Sequence, residues 1–440
     1  MRTLLLFPIL CLVTFLPLQA QSAWTLRQCI DYAIAHSVVV QQKDNSRRQQ
    51  ELSLSTARNS RLPDLNASAS ENFSFGRAQT LDGTYSNNNT NNTSFSLGTS
   101  VPLFTGFEIP NTVKMNQLNL EAATQDLEKA KNDIRIQVAQ AYVQILYDME
   151  IADVAHRQIA IDSQQVARLQ GFFEHGKASA AELSQQQATL AQARLTAVKA
   201  DNQQQLSLLA LTQLLELPTP QGFSIVRPQG QLSTAHAPLA SPETIYAEAL
   251  AFKPEVQAEQ LRLSAAERNI KIAEAGHYPT LTLNGGLQTN YYKTNGLLAE
   301  SFTDQMRHNF AQYIGLSLNV PIFNRFRVRN NVRLAHIEHE NQQLLLDNVK
   351  KTLYKEIQQV YYNTVAARSK YESSQETVQS SRDAFLLTQA KYENGKATIT
   401  EFNEAKNNYL KAESDLVQAR YELLYQHSLM DFYQGKELDF

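Results

Sequence analysis

Glu401 and Glu404 stand three residues apart, a spacing that puts both carboxylates on one face of a helix. Read alone, such a pair is most often simply solvated. His336 and His339 repeat the spacing, but no H-E-x-x-H and no Cys/His cluster accompanies them, so they read as surface histidines rather than ligands. The two cysteines, Cys11 and Cys29, cannot make a disulfide framework or a Cys-based zinc site. Five Met do not indicate a dedicated copper path. There is no G-x-S-x-G, no Walker loop and no G-x-G-x-x-G. The residues therefore offer no catalytic, cofactor or metal site, and energy for any work must come from a partner.

The elements around these residues are water-exposed and almost neutral. Lys and Arg number 40 against 43 Asp and Glu, a net of −3, which argues against a nucleic-acid partner. Mean hydropathy is −0.37. Glycine is scarce at 15 in 440, against a usual share of about 7%. Arg2, the apolar run Leu4 to Leu18 and Leu18-Gln19-Ala20 read as a secretory signal peptide over residues 1–20. The alternative, an anchor helix, falls short of the roughly 20 apolar residues that span a bilayer. Cys11 lies inside the apolar run, so no lipid anchor is expected.

The remainder is written twice. Val101-Pro102-Leu103-Phe104 returns as Val320-Pro321-Ile322-Phe323, an offset of 219 that also carries Gly176-Lys177-Ala178 to Gly395-Lys396-Ala397 and Glu182 to Glu401. Upstream the offset is 216 and carries Pro63 to Pro279 and Leu65 to Leu281. The expected organisation is a first repeat over 21–217, a Pro-rich irregular linker over 218–242 and a second repeat over 243–440.

Each repeat holds long helices and two alternating strands. Residues 111–170 and 322–394 contain neither Gly nor Pro, and the first would run roughly 90 Å at 1.5 Å per residue. Phe402, Ala405, Tyr409, Ala412, Leu416, Ala419 and Leu423 recur at coiled-coil spacing, and Gly176 and Gly395 mark the hairpin tips. Strands are expected at about 64–76, 93–104, 280–292 and 309–322, with exposed loops at 86–94 and 293–307. Their period of two suits either an outer-membrane strand or a sheet with one solvated face. Four strands cannot close a membrane barrel, since about eight is the smallest. In a membrane, several chains would have to share one barrel.

With Pro63 and Pro279 opening the strand pairs, Val-Pro-Leu/Ile-Phe closing them at Pro102 and Pro321, and Tyr392-Glu393-Asn394-Gly395-Lys396-Ala397-Thr398-Ile399 at the second tip, the sequence resembles the TolC-like outer-membrane efflux protein family over essentially the whole mature chain. The resemblance implies a mostly α fold with membrane β. Duplicated helical hairpins would form a periplasmic α-barrel, and four strands per chain would contribute to a 12-stranded trimeric outer-membrane β-barrel. It implies a passive exit duct in the outer membrane of a Gram-negative bacterium, surrounded by lipid and working with a periplasmic adaptor and an inner-membrane transporter. On the family pattern Glu401 and Glu404 line the pore constriction, where six carboxylates would favour cations and raise one another's pKa. Glu182 and Tyr392 match positions that link neighbouring tip helices. The matching basic position is Ala397, which leaves Lys396 or Lys177 as substitutes. The other reading of the chain is an exported coiled-coil protein with a small β-domain and no pore.

Overall fold

A computed structural model describes residues 23–79, 83–87, 89–228, 239–295 and 298–438. The expected signal peptide and residues 229–238 of the Pro-rich stretch lie outside them. The described chain runs α1 (Leu26–His36), α2 (Val38–Asn59), β1 (Asp64–Ser74), β2 (Arg77–Gln79), β3 (Tyr85–Asn87), β4 (Thr90–Phe104), α3 (Glu108–Glu174) and α4 (Ala180–Leu214). The second repeat follows as α5 (Pro242–Phe252), α6 (Pro254–Ala275), β5 (Thr280–Thr294), α7 (Phe302–His308), β6 (Ala311–Asn319), α8 (Arg327–Glu393) and α9 (Ile399–Tyr433). The offset of 219 holds at every end of the long helices: 108 to 327, 174 to 393, 180 to 399 and 214 to 433. Each repeat thus carries one helix of 67 residues and one of 35.

The chain packs as two compact units, each drawing on both repeats. One takes residues 41–130 and 250–355; the other takes the rest of the described residues.

The first of these units holds an antiparallel sheet in the order β1-β4-β5-β6. Its register places Val101 opposite Leu283 and Leu283 opposite Leu316, so the apolar members of each strand share one face. Polar side chains meet on the other: Ser68 with Ser96 and Ser70 with Ser94 at 2.7 Å between hydroxyls, and Asn284 donating to Ser317 at 3.0 Å. The apolar face has no cover of its own; Ile314 is 80% exposed and Leu316 and Leu318 are each 66% exposed. Beyond β1 and β6 the sheet is unpaired among the described residues.

Four details depart from the expected spans. β4 starts at Thr90, because it is paired on both sides, with β1 and with β5, and that pairing draws the Asn/Thr tract into the strand. A short β2–β3 ribbon lies between β1 and β4, and its last two residues, 86 and 87, fall in the same expected loop. β6 ends at Asn319 instead of reaching 322: it is an edge, and Pro321 has no N–H to continue a ladder. Pro102, its counterpart, stays inside β4 at a register shift against β5. The second expected loop contains α7, capped by Ser301, whose hydroxyl accepts the Asp304 N–H at 3.2 Å, with Arg307 and His308 in the last turn.

In the other unit the seams named from sequence are closed. Phe402, Ala412, Ala419 and Leu423 are buried, as are Leu190, Ala193 and Ala197 on α4. The stretch after Pro220 is not wholly irregular. Trp24 and Ile225 form a parallel bridge, and the Tyr142 hydroxyl donates to the Val226 carbonyl at 2.6 Å. A helix break also repeats at an offset of 216, at buried Ser37 and buried Lys253. Only the second is signalled locally, since Pro254 disfavours a helical residue before it and suits the first helical position.

Candidate functional site at the hairpin tips

Both tips are made by the same backbone device. Gly176 and Gly395 each sit at φ +70, a conformation that costs glycine nothing. Around them, Lys177 N–H reaches the Phe172 carbonyl and Lys396 N–H reaches the Lys391 carbonyl, at 2.7 and 2.8 Å. With Gly176 N–H on Phe173 and Gly395 N–H on Tyr392 at 3.0 Å, each long helix ends in a Schellman motif. Three residues later the next helix opens with a capping box. Glu182 takes the Ser179 N–H and hydroxyl at 2.8 and 2.9 Å, and the Ser179 hydroxyl accepts the Glu182 N–H at 3.2 Å. Glu401 and Thr398 repeat this at 2.6, 2.9 and 3.2 Å.

The capping boxes set the charge on both glutamates. The Thr398 backbone N–H, and then its hydroxyl, hold the Glu401 carboxyl below the usual carboxylate range; Ser179 does the same for Glu182. Within one chain the Glu401 shift therefore runs opposite to the rise that crowding in a six-carboxylate ring would give. Glu404 lies exposed on the next turn, on the same side of α9 as Glu401.

Behind the tips a small apolar core forms from Leu169, Leu183, Phe385, Ile399 and Phe402, with Tyr392 packed against it. Tyr392 stacks on Phe402 at 5.1 Å between ring centroids, and Phe385 stacks on Tyr409 at 5.7 Å. Burial pushes the Tyr392 phenol up; the Gln165 side chain and the Arg168 charge pull it back, and Glu182 lies close enough for its charge to add to the rise. Arg168 is a basic group beside Tyr392. Its guanidinium lies 5.8 Å from the Tyr392 ring centroid and 3.5 Å from the Glu393 carboxylate, and it donates to the Glu393 carbonyl at 3.3 Å.

One turn deeper, Lys406 pairs with Asp162, both side chains wholly buried. Gln186 donates to the same Asp162 oxygen at 3.2 Å and accepts from Asn403 at 3.1 Å. The network ties α3, α4 and α9 together. Sequence reading passed over Arg168, Asp162 and Lys406 because each sits inside a polar-looking helix face. The repeat held a signal: the offset of 219 maps Arg168 to Leu387, Asp162 to Ser381 and Lys406 back to Gln187.

The remaining singled-out positions frame the sheet rather than the tips. Pro63 and Pro279 immediately precede β1 and β5, Pro102 marks the shift in β4, and Pro321 lies two residues past β6.

The chain thus combines duplicated helical hairpins with a sheet that is apolar on one face and polar on the other. The family model described as "Outer membrane efflux protein" matches residues 30–216 and 245–428, and the chain belongs to that family. Among curated relatives, toxin and drug export protein A of Aggregatibacter actinomycetemcomitans is 22% identical over 75% of this chain and 69% of its own. Outer membrane efflux protein BepC of Brucella suis is 23% identical over 73% and 67%. Among solved structures, the CmeC outer membrane channel of Campylobacter jejuni superposes with a TM-score of 0.79 at 18% identity, over 94% of this chain and 87% of that one. VceC of Vibrio cholerae gives 0.78 at 18%, over 94% and 96%. The chain is an outer-membrane efflux channel of a Gram-negative bacterium with a large periplasmic helical part, and the pore-less alternative has no support.

Proposed function

We propose that three copies of this chain close one twelve-stranded barrel, four strands from each, and form a passive exit duct. The observation that carries it is the sheet: apolar on one face, polar on the other, and unpaired at β1 and β6. An unpaired strand edge in lipid leaves backbone groups with no partner, so the edges call for β6 of one copy to pair with β1 of the next. Light scattering of the detergent-solubilised protein tests this. A trimer is expected, and a stable monomeric pore would sink the reading.

In this reading the repeats at 21–217 and 243–440 supply equivalent parts of the wall, and the tips form the periplasmic entrance. Glu401 and Glu404 line its constriction, and Tyr392, Glu182 and Arg168 hold the tip helices in the closed arrangement. Support comes from the exposure of both glutamates beside the Gly395 turn and from the packing of Arg168 on Tyr392. A periplasmic adaptor and an inner-membrane transporter would open and energise the duct. The cargo would be a small molecule or a polypeptide, in keeping with the toxin and drug export named for one relative and the pyoverdine export named for another. Single-channel recording of Glu401→Gln with Glu404→Gln checks the constriction. Weakened cation selectivity and weakened multivalent block are expected, while selectivity equal to wild type would place the constriction elsewhere.

A further inference from the structure

The two strand-to-helix junctions share a backbone and differ in charge. At both, two successive residues have positive φ: Gly106 and Phe107 at +63 and +67, Arg325 and Phe326 at +54 and +60. At both, aromatic rings stand out in T-shaped pairs, Phe104 with Phe107 and Phe323 with Phe326. The second junction continues the apolar row of β6 outward: Ile322 is 94% exposed, Phe323 72% and Phe326 58%. Exposed arginines follow at once, at 325, 327, 329 and 333. Arg329 lies 6.0 Å from the Phe326 ring centroid. From Asn309 to Ile337 the sequence holds no Asp or Glu. The first junction has Gly106, Glu108, Pro110 and Lys114 at the four matching positions, which cancel in charge.

Nothing within the unit explains four arginines there. They form no ion pair among those of the described residues. Glu274, on the helix whose end packs against Val328, is paired with Lys271 at 3.0 Å. Arg327 and Arg329 occupy the first turn of α8, the positive end of the helix macrodipole, where α3 has Glu108. Arg325 holds a backbone conformation that suits the glycine of the first repeat. The cluster therefore works against its own helix and backbone, and an outside anion would relieve the charge.

We propose that Arg325, Arg327, Arg329 and Arg333 bind the headgroups of anionic phospholipids in the periplasmic leaflet of the outer membrane. The inference rests on reading the apolar sheet face as the lipid-facing wall. That wall ends, on the helical side, in the aromatic rings, which is where amphipathic aromatics meet the headgroup layer. Guanidinium groups one turn beyond stand at phosphate depth, can fork onto phosphate oxygens, and have stems long enough to reach along the interface. Only one junction per chain carries the cluster, so a trimer would hold three such sites.

The test uses the full chain in vesicles of phosphatidylethanolamine alone or mixed with phosphatidylglycerol, followed by native mass spectrometry of the lipids it retains. The expected result is retention of phosphatidylglycerol well above its share, lost in high salt. Removing charge should weaken the preference by about fivefold per arginine. R325Q/R327Q/R329Q/R333Q should then bring it close to the bulk composition, while R194Q, at an exposed arginine of α4, leaves it unchanged. Wild-type protein that inserts but retains both lipids in bulk proportion overturns the proposal and leaves the wall reading standing. Failure to insert into either vesicle overturns both. A quadruple variant that loses its oligomer in both membranes alike would assign the arginines to a second copy of the chain, which also overturns it.

Discussion

The two hairpin tips are superimposable in plan and different in substance. Each has 67 residues before the turn, a glycine at φ +70, a Schellman motif, a Ser or Thr cap and a glutamate three residues on. What surrounds that frame has diverged. Phe402 stands where the first tip has Leu183, Tyr392 where it has Phe173, Glu404 where it has Gln185, and Lys406 where it has Gln187. The buried cation and the aromatic stack belong to the second tip, while their partners, Asp162, Gln186 and Arg168, lie on the first hairpin. Duplication preserved the backbone signals that end and restart a helix; the seam was left free to become asymmetric and to lock one hairpin on the other.

The sharpest way to break that comparison is at Lys406. Lys406→Met leaves Asp162 charged, buried and unpaired, and a loss of about 3–5 kcal/mol is expected for breaking such a pair. Asp162→Leu added to it should restore most of the loss, because an apolar pair of similar volume is often neutral. Thermal unfolding of the purified oligomer reads both. Equal stability of the single variant and wild type would mean the pair does not hold the hairpins.

The aromatic core comes next. Phe402→Ala should cost about 3–5 kcal/mol and Leu183→Ala about 2–5 kcal/mol, with the first larger because Phe402 alone carries the stack with Tyr392. Hydrogen exchange at the two tips separates them, and a larger effect at Leu183 would reverse the asymmetry described here.

The shared frame should respond equally. Ser179→Ala and Thr398→Ala each remove an N-cap and should each cost about 1 kcal/mol, read as faster exchange in the first turn of α4 or α9. The smallest effect is on pH. The folded carboxyls of Glu182 and Glu401 lie below their unfolded value, so their stabilisation is fully present above the ordinary glutamate range and fades as pH falls through the lowered value. Tip protection, corrected for the intrinsic pH dependence of amide exchange, should fall on acidification in wild type, and Glu401→Gln should flatten that response at the second tip. A ring of carboxylates from three chains would act in the opposite sense, so a pH response at Glu401 that begins above the ordinary range would report the assembled constriction.

Much of this frame was legible because it is written in punctuation. Gly176, Gly395, Ser179, Thr398 and the Pro residues flanking the strands are local signals, and the repeat doubled each of them. Strand facing was legible for the same reason, since a period of two fixes which side chains share a face. The edges of those strands were not: whether Thr90 or Pro321 belongs to a ladder depends on which neighbour offers hydrogen bonds, and sequence alternation does not hold that information. α7 was hidden in a tract that looked like loop, although Ser301 with Asp304 is a helix-start signal. The Arg168 and Lys406 contacts were out of reach for a different reason. Each joins residues more than two hundred positions apart, and a lone basic residue on a polar helix face gives no local sign of being buried.

The unpaired edges at β1 and β6 also set a timetable for biogenesis. A newly exported chain carries two adhesive strands and an uncovered apolar face, which is the combination that seeds edge-to-edge aggregates. It gains nothing by entering lipid alone, because hydrocarbon makes those edges more costly than water does. On the proposed shared barrel, pairing must precede or accompany insertion, and its rate would rise steeply with the local concentration of newly exported chains. On the same reading, slow supply would leave each chain waiting with both edges of the β1-β4-β5-β6 sheet open, whereas chains released close together could reach the membrane as a finished wall.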